Sequence, residues 1–420
     1  MLPNLALLAL PLVAAAAPSS WFQPRDSDIH NLFKRQGPAP DPAKPGFASH
    51  YPPPQRVANG TLPQAWVDKY NKVKAEGKIP SPSVNPVAIR RNGNPVYEGR
   101  DGADKSICSF NTGCHTDDDY FLAPDGTFVL TFDDGPTPAS PALYDFMQEH
   151  NITRQATHFM IGGNIAADPV TMQRAFTQGG HIAVHTWSHP QMTTLSDEAV
   201  MGELGWTMQV IADLTGGRVP AYWRPSYGDT DNRVRAIAKN VFGMDCVLWN
   251  RDTNDWKIGQ DQTVEGTRKI MQEWWVGPKT PGILALEHEL NKDCVDVFIA
   301  EYPAAIQNGW QIKSVADAYG LKWYQNADSN EGPVTNFTIA TDTQANLNLS
   351  APILGASSSA APSASSNVDG SAGANPNATV SGSAGAASAS ASTTANSAAS
   401  ALVIPGLASL LVGALAVLAL

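Results

Sequence analysis

Short apolar runs that alternate with helical segments occupy the middle of this chain, and this alternation is the feature that most constrains its fold. The runs end at Leu130, Val184, Trp223, Trp249 and Leu286. Segments of helical character lie at 141–150, 169–178, 196–214, 232–240, 264–275 and 295–308. Short apolar strands that alternate with helices predict βαβ units, and hence an α/β protein whose parallel sheet is buried on both faces.

Each apolar run is followed by polar side chains that can take part in chemistry. The residues concerned are Asp133 and Asp134, His185, Arg224, Asp252 and Asp255, and His288. Functional groups at the carboxyl ends of successive strands are typical of a (β/α) barrel, because all its βα loops open on one face. The units between Phe128 and Trp323 number roughly six to eight, which also fits an open doubly wound sheet. We favour a distorted barrel.

Two adjacent carboxylates lie where the first run stops, in the sequence T-F-D-D-G-P at 131–136. Neighbouring side chains on a strand point to opposite faces, so both can serve one site only where the backbone bends. The turn sequence Gly135-Pro136 allows that bend. One carboxylate can then hold a metal ion while its neighbour handles a proton.

The sequence H-T-W-S-H at 185–189 places two imidazoles four residues apart. Two histidines and one carboxylate form a site that suits Zn²⁺ or a similar divalent ion and leaves coordination positions open. No G-x-S-x-G sequence occurs anywhere in the chain, which argues against an esterase with a serine nucleophile.

Five motifs together resemble those of the carbohydrate esterase family 4 polysaccharide deacetylases, whose catalytic unit is the NodB homology domain. They read, in order, T-F-D-D-G-P, H-T-W-S-H, R-P-S-Y-G, D-T-N-D-W and L-E-H-E-L, and the resemblance covers about 125–325. The third motif commonly reads R-P-P-Y-G, so Ser226 is a departure that we expect to loosen its loop slightly; Arg224 and Tyr227 are retained. Asp252 fits either a structural or a functional role.

The resemblance implies a distorted barrel of the NodB type with one divalent metal ion, Zn²⁺ or Co²⁺. The ligands would be Asp134, His185 and His189. The ion would polarise the acetamide carbonyl and make a water molecule more acidic. Asp133 would be the general base, and Arg224 would favour its charged form.

The same resemblance implies an acid and a substrate pocket. His288 would protonate the leaving amine, and Asp255 would orient that imidazole. The backbone N–H of Tyr227 would stabilise the oxyanion. Trp256 and Leu286 would form the walls of the pocket for the acetyl methyl group.

The resemblance is strongest to fungal members that act on chitin, so chitin or chitin oligomers are the expected partner of a monomeric enzyme. Acetylated xylan and peptidoglycan are the alternative substrates, and a wall protein that binds glycan without turnover is the alternative class. Such a protein would be expected to lose a ligand, the base or the acid, and all are present. The net charge of −11 disfavours nucleic acid as a partner.

Both ends of the chain carry expected targeting signals. Residues 1–17 are typical of a secretory signal peptide, and Lys34-Arg35 offers a processing site that would end a propeptide at 18–35. Five sequons are expected to carry glycans, at Asn59, Asn151, Asn336, Asn348 and Asn377. Four cysteines in this setting predict two disulfides, for which three pairings are open.

The last part of the chain predicts a stalk and a lipid anchor. Residues 326–396 become rich in Ser, Ala and Gly, and 397–420 end in an apolar tail without basic residues. This order resembles a GPI-attachment signal with Asn396 or a nearby Ser as the ω site, and a transmembrane anchor is the alternative. We therefore expect a secreted protein held at the plasma membrane and in the cell wall.

The remaining segment, 36–124, is an N-terminal extension to the catalytic domain at 125–325. Its first part, 36–60, is rich in proline and expected to be extended. Trp66, Tyr70 and Val73 then form an apolar stripe at helical spacing. We expect a short helix that packs against the barrel.

Overall fold

The computed structural model describes residues 39–58, 60, 62–337 and 339–340. The expected signal peptide, propeptide and anchor segment lie outside these residues, as do Asn59, Asn348, Asn377, Asn396 and most of the stalk. Of the other two sequons, Asn151 is exposed and Asn336 is half-buried. None of the helices within the described ranges is both long and apolar enough to cross a membrane.

Eleven strands and nine α-helices make up the described residues. The strands are β1 (Ile89–Arg91), β2 (Asn94–Val96), β3 (Thr127–Val129), β4 (Thr131–Gly135), β5 (Thr157–Met160), β6 (His181–Val184), β7 (Tyr222–Trp223), β8 (Asp245–Cys246), β9 (Arg251–Asp252), β10 (Ile283–His288) and β11 (Gln311–Lys313). The helices are α1 (Gln64–Ala75), α2 (Ser140–Glu149), α3 (Gly162–Ala167), α4 (Pro169–Thr177), α5 (Asp197–Leu214), α6 (Asn232–Phe242), α7 (Val264–Val276), α8 (Lys292–Gln307) and α9 (Val315–Tyr319).

The large sheet is parallel throughout, and its order is β11-β3-β10-β4-β5-β6-β7-β8, with β9 paired to β10. Nearly all its strand residues from β3 to β8 and along β10 are buried, because helices cover the outer face and side chains fill the inner one. The α/β class and the parallel sheet are therefore confirmed.

One extended segment, 245–252, closes the sheet into a distorted barrel. Its first two residues pair with β7, and its last two pair with β10, which in turn pairs with β4. Between these pairings the segment leaves β7 and joins β10, so it connects the two parts of the sheet. The favoured interpretation of the sequence is confirmed, and the open doubly wound sheet was the wrong alternative.

Helix starts in the barrel follow ordinary capping chemistry. The Ser196 hydroxyl accepts from the N–H of Ala199 at the start of α5, and the Asp231 carboxylate accepts from the N–H of Val234 at the start of α6. Each cap satisfies one of the N–H groups that a helix leaves without an internal partner. The loops therefore lead into helices whose N-termini are capped.

The helix expected in the N-terminal extension packs on the barrel, but the preceding proline-rich part is not extended, because it contains turns and a 3-10 helix at Phe47–His50. In α1, Trp66, Tyr70 and Val73 are buried, and the Trp66 ring lies 5.6 Å from that of Phe242 in α6. A Cβ on Gly205 of α5 would come within 2.3 Å of the Trp66 ring, so only glycine leaves room for that ring. The extension also contains the antiparallel hairpin formed by β1 and β2.

The cysteine prediction was half right. Cys108 and Cys114 form a disulfide in the extension. Cys246 in β8 and Cys294 in α8 are buried free thiols instead of a second bridge. Each of them packs in the interior as a small apolar side chain, which is common for free cysteine.

Candidate active site

The two aspartates of the first motif lie at the end of β4, where the strand bends. The register of β4 against β5 shifts between Asp133 and Gly135, and Asp134 has a left-handed backbone with φ of 73°. The Asn164 side chain donates to the Asp134 carbonyl over 2.9 Å and holds this conformation. The bend brings both carboxylates to one site, as the sequence predicted: Oδ2 of Asp133 lies 3.6 Å and Oδ1 of Asp134 lies 3.4 Å from Nε2 of His185.

Asp134, His185 and His189 come together as the predicted ligand set. Their ligand atoms all lie within 4.8 Å of one another. The Oδ1 atom of Asp134 lies 3.4 Å from Nε2 of His185 and 3.2 Å from Nε2 of His189. Among the described residues this is the only group of three or more such side chains with that spacing.

Hydrogen bonding around the three side chains fits a divalent cation. The Oδ1 atom of Asp134 is buried and has no hydrogen-bond partner among the described residues. The His185 Nδ1–H group donates to the carbonyl of Arg224 over 2.8 Å, so the lone pair of Nε2 points at Asp134. A second partner of this kind usually fixes the tautomer of a metal-binding histidine. The residues present therefore fit a metal ion with two nitrogen ligands and one oxygen ligand.

Burial and charge set the protonation of these groups. Burial lowers the pKa of His189 to about 4, which leaves its ring neutral near pH 7. Burial raises the pKa of Asp134, but the imidazoles of His189 and His185 lower it more, to well below its usual range. Burial lowers the pKa of His185, but Asp133 and Asp134 raise it to a net value above normal. A cation at this site would compete with the His185 proton, so metal affinity should fall in acid.

Arg224 holds Asp133 beside the ligand set. Its Nη1 atom donates to Oδ1 of Asp133 over 2.8 Å and to Oγ1 of Thr131 over 2.7 Å. Its other nitrogens donate to the carbonyls of Val247 and Leu248 over 3.2 and 3.1 Å. The guanidinium is fully buried, so the ion pair has one fixed geometry. The Oδ2 atom of Asp133 is left facing His185 Nε2 at 3.6 Å.

His288 lies at the end of β10 and pairs with Asp255. Its Nδ1 atom is 2.7 Å from Oδ1 of Asp255. Burial lowers the pKa of His288, but the charge and hydrogen bond of Asp255 raise it more, to about 10. The imidazole is therefore protonated near pH 7, and its Nδ1–H group donates a hydrogen bond to Asp255. The register pairs His288 with Asp133 across the two strands, so the predicted acid and the predicted base lie on neighbouring strands.

The expected pocket residues lie near the motif side chains. Leu286 is buried two positions before His288 and shares its face of β10. Trp256 is half-buried, and its backbone N–H donates to Oδ1 of Asp255 over 2.8 Å. Tyr227 is exposed, has φ of 57° and lies with its ring 4.4 Å from that of His189. All three lie beside the groups that they are predicted to assist, and their roles stay predictions.

Asp252 lies in the turn that precedes Asp255. Its Oδ1 atom accepts from the N–H of Asn254 over 2.7 Å, and its Oδ2 atom has no partner in the described part of the chain. Asn254 has a left-handed backbone with φ of 55°. Asp252 therefore shapes the turn that presents Asp255, and both its structural and its functional role stay predictions.

Ser226 joins the third motif to the second. Its Oγ atom lies 2.9 Å from Oγ1 of Thr186, which also accepts from the N–H of His189 over 3.1 Å. The hydroxyl that replaces the usual proline ring therefore adds a buried contact between the motif loops. This hydrogen bond opposes the loosening expected from the lost ring, and the looser loop stays a prediction.

Several supporting residues escaped the sequence interpretation. Thr131 binds Arg224 and also donates to the Ala285 carbonyl over 2.6 Å. The Glu289 carboxylate is hydrogen-bonded by Tyr144 and by His158 and would lie within 2.4 Å of a Cβ on Gly135. Thr131 is the first residue of the first motif, and Glu289 directly follows His288. Their positions within the motifs could therefore have indicated a supporting role.

Known proteins are similar to most of this chain. The family model described as polysaccharide deacetylase matches residues 123–246. The chain is 50% identical over 346 residues to chitin deacetylase 3 of Cryptococcus neoformans var. neoformans, which covers 81% of this chain and 82% of that protein. It is 34% identical over 335 residues to chitin deacetylase 1 of Cryptococcus neoformans var. grubii, with 74% and 67% covered. The solved chitin deacetylase of Colletotrichum lindemuthianum is 21% identical with a TM-score of 0.44, over 48% of this chain and 90% of that one.

Proposed function

We propose, from the premise that this chain belongs to the polysaccharide deacetylase family, that it removes acetyl groups from the N-acetylglucosamine units of chitin and yields chitosan and acetate. The observation that carries the proposal is the half-identical relative named chitin deacetylase 3, which is matched over four-fifths of both chains. The candidate base, acid and metal ligands are also all present at one end of the barrel. Chitin is therefore the substrate to test first.

The metal would be one Zn²⁺ or Co²⁺ ion held by Asp134, His185 and His189. When bound, it would supply a Lewis acid that polarises the acetyl carbonyl and makes water more acidic. Two imidazole nitrogens and one carboxylate oxygen suit these borderline ions better than Mg²⁺ or Ca²⁺, which prefer oxygen ligands. The three ligands leave coordination positions open for water and substrate.

Asp133 would act as the general base on the attacking water. Arg224 occupies its Oδ1 atom, which leaves Oδ2 free to take the proton. The water oxygen forms a bond to the acetyl carbon, and its proton moves to Asp133. Because Asp133 is 2% exposed, few other waters can compete for that carboxylate.

His288 would act as the general acid. Its protonated imidazole keeps one proton on Nδ1, directed at Asp255, and carries a second on Nε2. That second proton passes to the amide nitrogen as the C–N bond breaks, so the sugar leaves as a neutral amine. An unprotonated amide nitrogen leaves poorly, so this transfer is essential. Acetate remains as the second product.

The pocket residues would select the acetyl group. The backbone N–H of Tyr227 would assist at the carbonyl oxygen, and the buried Leu286 side chain would offer an apolar wall for the methyl group. Trp256 would form the second wall. The exposed Tyr227 ring would be available to contact the polymer.

A substrate comparison tests this proposal. Purified enzyme loaded with Zn²⁺ or Co²⁺ would be incubated with chitin oligomers, acetylated xylan and peptidoglycan, and the mass loss of one acetyl group would be followed by mass spectrometry. We expect the highest kcat/KM on chitin oligomers. A clear preference for xylan or peptidoglycan would reject the chitin proposal, and no turnover of any of the three would favour a binding protein.

We also propose that the chain is secreted and held at the plasma membrane and cell wall by a GPI lipid. The support is the order of its terminal segments: small residues at 356–400, then the apolar tail 401–420. A phosphatidylinositol-specific phospholipase should release the protein from membranes. Recovery of a peptide from 401–420 in the mature protein would favour the transmembrane alternative. An enzyme ended near residue 350 should be soluble and active.

A further inference from the structure

The loop that carries the two metal-binding histidines has an unfavourable backbone. Thr186 has φ of 64° and His189 has φ of 58°, both in the left-handed region. Residues with a Cβ adopt this region rarely, and only when their surroundings hold them there. The positions of His185 and His189 therefore depend on contacts made by the rest of the loop.

Glu203 of α5 supplies most of those contacts. Its Oε2 atom accepts from the N–H groups of Trp187 and Ser188, both over 2.8 Å. Its Oε1 atom accepts from the Ser188 hydroxyl over 2.9 Å and from the N–H of Ala58 over 2.8 Å. The side chain is fully buried, and no cation pairs with it among the described residues.

A buried carboxylate without a counter-ion is costly unless hydrogen bonds satisfy it. Three of the four hydrogen bonds to Glu203 come from the loop between His185 and His189, and the fourth comes from the N-terminal extension. A side chain that only filled space in α5 would be apolar. The charged carboxylate of Glu203 instead holds two separate parts of the chain together.

The extension crosses the loop at this point. The Trp187 indole N–H donates to the carbonyl of Pro53 over 3.2 Å. A Cβ on Gly202 would come within 1.7 Å of the Ala58 carbonyl oxygen, and a Cβ on Gly163 would come within 2.9 Å of the Trp187 carbonyl and 3.3 Å of the Gln55 nitrogen. Glycine at these two positions lets 51–58 lie directly against α5 and the loop.

We propose that Glu203 is a positioning residue for His185 and His189, and that segment 51–58 is part of the same support. The segment lies outside the matched family region at 123–246. The metal affinity of this chain therefore depends on an extension that precedes its catalytic domain. The inference rests on the proposed metal site and is independent of which polysaccharide is the substrate.

Glu203→Gln tests the inference with little change in volume. An amide cannot accept all four hydrogen bonds, because its NH₂ group faces N–H donors. We expect a 10- to 100-fold weaker affinity for Zn²⁺, measured by competition with a chelator, the usual effect of losing such a partner. We also expect a changed visible absorption spectrum of the Co²⁺ form, which reports ligand geometry.

Glu301→Gln is the matched control. Glu301 is a buried glutamate of α8 that accepts from Arg268 and Gln272, away from the ligand loop. This variant should lose stability but keep the metal affinity and the Co²⁺ spectrum. If Glu203→Gln behaved in the same way, with a lower unfolding temperature of the metal-free protein and unchanged affinity, Glu203 would be merely structural and the inference overturned.

Gly202→Ala tests the extension separately, because its methyl group would push Ala58 away from α5 and leave Glu203 in place. We expect weaker Zn²⁺ binding than in wild type, and unchanged binding would remove 51–58 from the proposal. If Glu203→Gln failed to fold, Ser188→Ala, which removes one of the four donors, would replace it with the same readouts. Normal metal binding without deacetylation of any polysaccharide would reject the proposed function and leave this inference standing.

Discussion

His288 and Asp255 are joined by two hydrogen bonds to one carboxylate. The His288 ring places Nδ1 2.7 Å from Oδ1, and the His288 backbone N–H donates to Oδ2 over 2.8 Å. The ring and the chain that carries it are therefore fixed by the same group. This arrangement fixes the direction in which the other ring nitrogen, Nε2, points. The same carboxylate also sets the pKa of the ring.

Asp255→Asn should move the alkaline limit of activity to lower pH. His288 is useful as an acid only while protonated, and its pKa of about 10 reflects burial, which lowers it, and Asp255, which raises it more. A neutral amide removes that raising effect, so His288 should lose its proton earlier as the pH increases. The pH profile of kcat/KM measures this shift. A profile with its alkaline limb in place would show that another group sets it.

Asp133→Asn and Asp134→Asn should separate the base from the ligand. Loss of the base should lower kcat by roughly 10²- to 10⁴-fold and leave one metal ion bound. Loss of the ligand should empty the site. Metal content after desalting, measured by atomic emission, distinguishes them, and the reverse pattern would mean that the two carboxylates have exchanged roles.

Exhaustive chelation should abolish activity, and one equivalent of Zn²⁺ or Co²⁺ should restore it. Sites with three protein ligands exchange their metal more readily than closed structural sites. Affinity for the metal ion should fall as the pH falls. Burial lowers the pKa of His185, but Asp133 and Asp134 raise it more, so a proton competes with the ion for this ring. Titration calorimetry at several pH values checks this. Full turnover with metal content near zero would contradict it.

Asp229→Asn should become more stable relative to the wild type as the pH rises from 4 to 8. Burial is the main reason why the pKa of Asp229 is raised to about 7, while hydrogen bonds from Thr193 lower it. The folded state therefore resists ionising Asp229, and this cost is absent below about pH 4. It grows as the pH rises and is complete above about pH 7. The variant's free energy of unfolding, minus that of wild type, should increase between pH 4 and pH 8.

Nearby charges and an exposed control define that measurement. Asp231 raises the pKa of Asp229, and Arg233 lowers it, so both must be kept. Denaturant unfolding would be followed on metal-free protein, to exclude the titration of metal binding. Asp125→Asn, at an exposed position, should give a flat difference. A flat difference for Asp229→Asn as well would disprove the assignment.

The motif residues could be predicted because their signal is local. Asp133, His185, Arg224 and His288 each follow a short apolar run, and parallel strands bring such ends to one face. The same reasoning found the α1 stripe from Trp66 to Val73. In these cases a few neighbouring residues carry the whole pattern.

Long-range support could not be predicted in this way. Glu203 lies in an apolar helix, where one glutamate usually marks the solvent side, yet its partners are Ala58, Trp187 and Ser188. The absence of a bond between Cys246 and Cys294, both free thiols, likewise depends on where their distant segments lie in space. Contacts between distant segments have no period in the sequence to reveal them.

The change of partner along segment 245–252 has a consequence for how this chain can evolve. Between its pairings with β7 and β10, the carbonyls of Val247 and Leu248 face Arg224 and accept its hydrogen bonds, where a regular strand would have used them in its ladder. Surface connections usually tolerate insertions and deletions. Here one added or deleted residue between Cys246 and Arg251 would remove the acceptors that aim Arg224 at Asp133. Lineages that keep the chemistry should therefore keep the length of this stretch, even where its side chains drift.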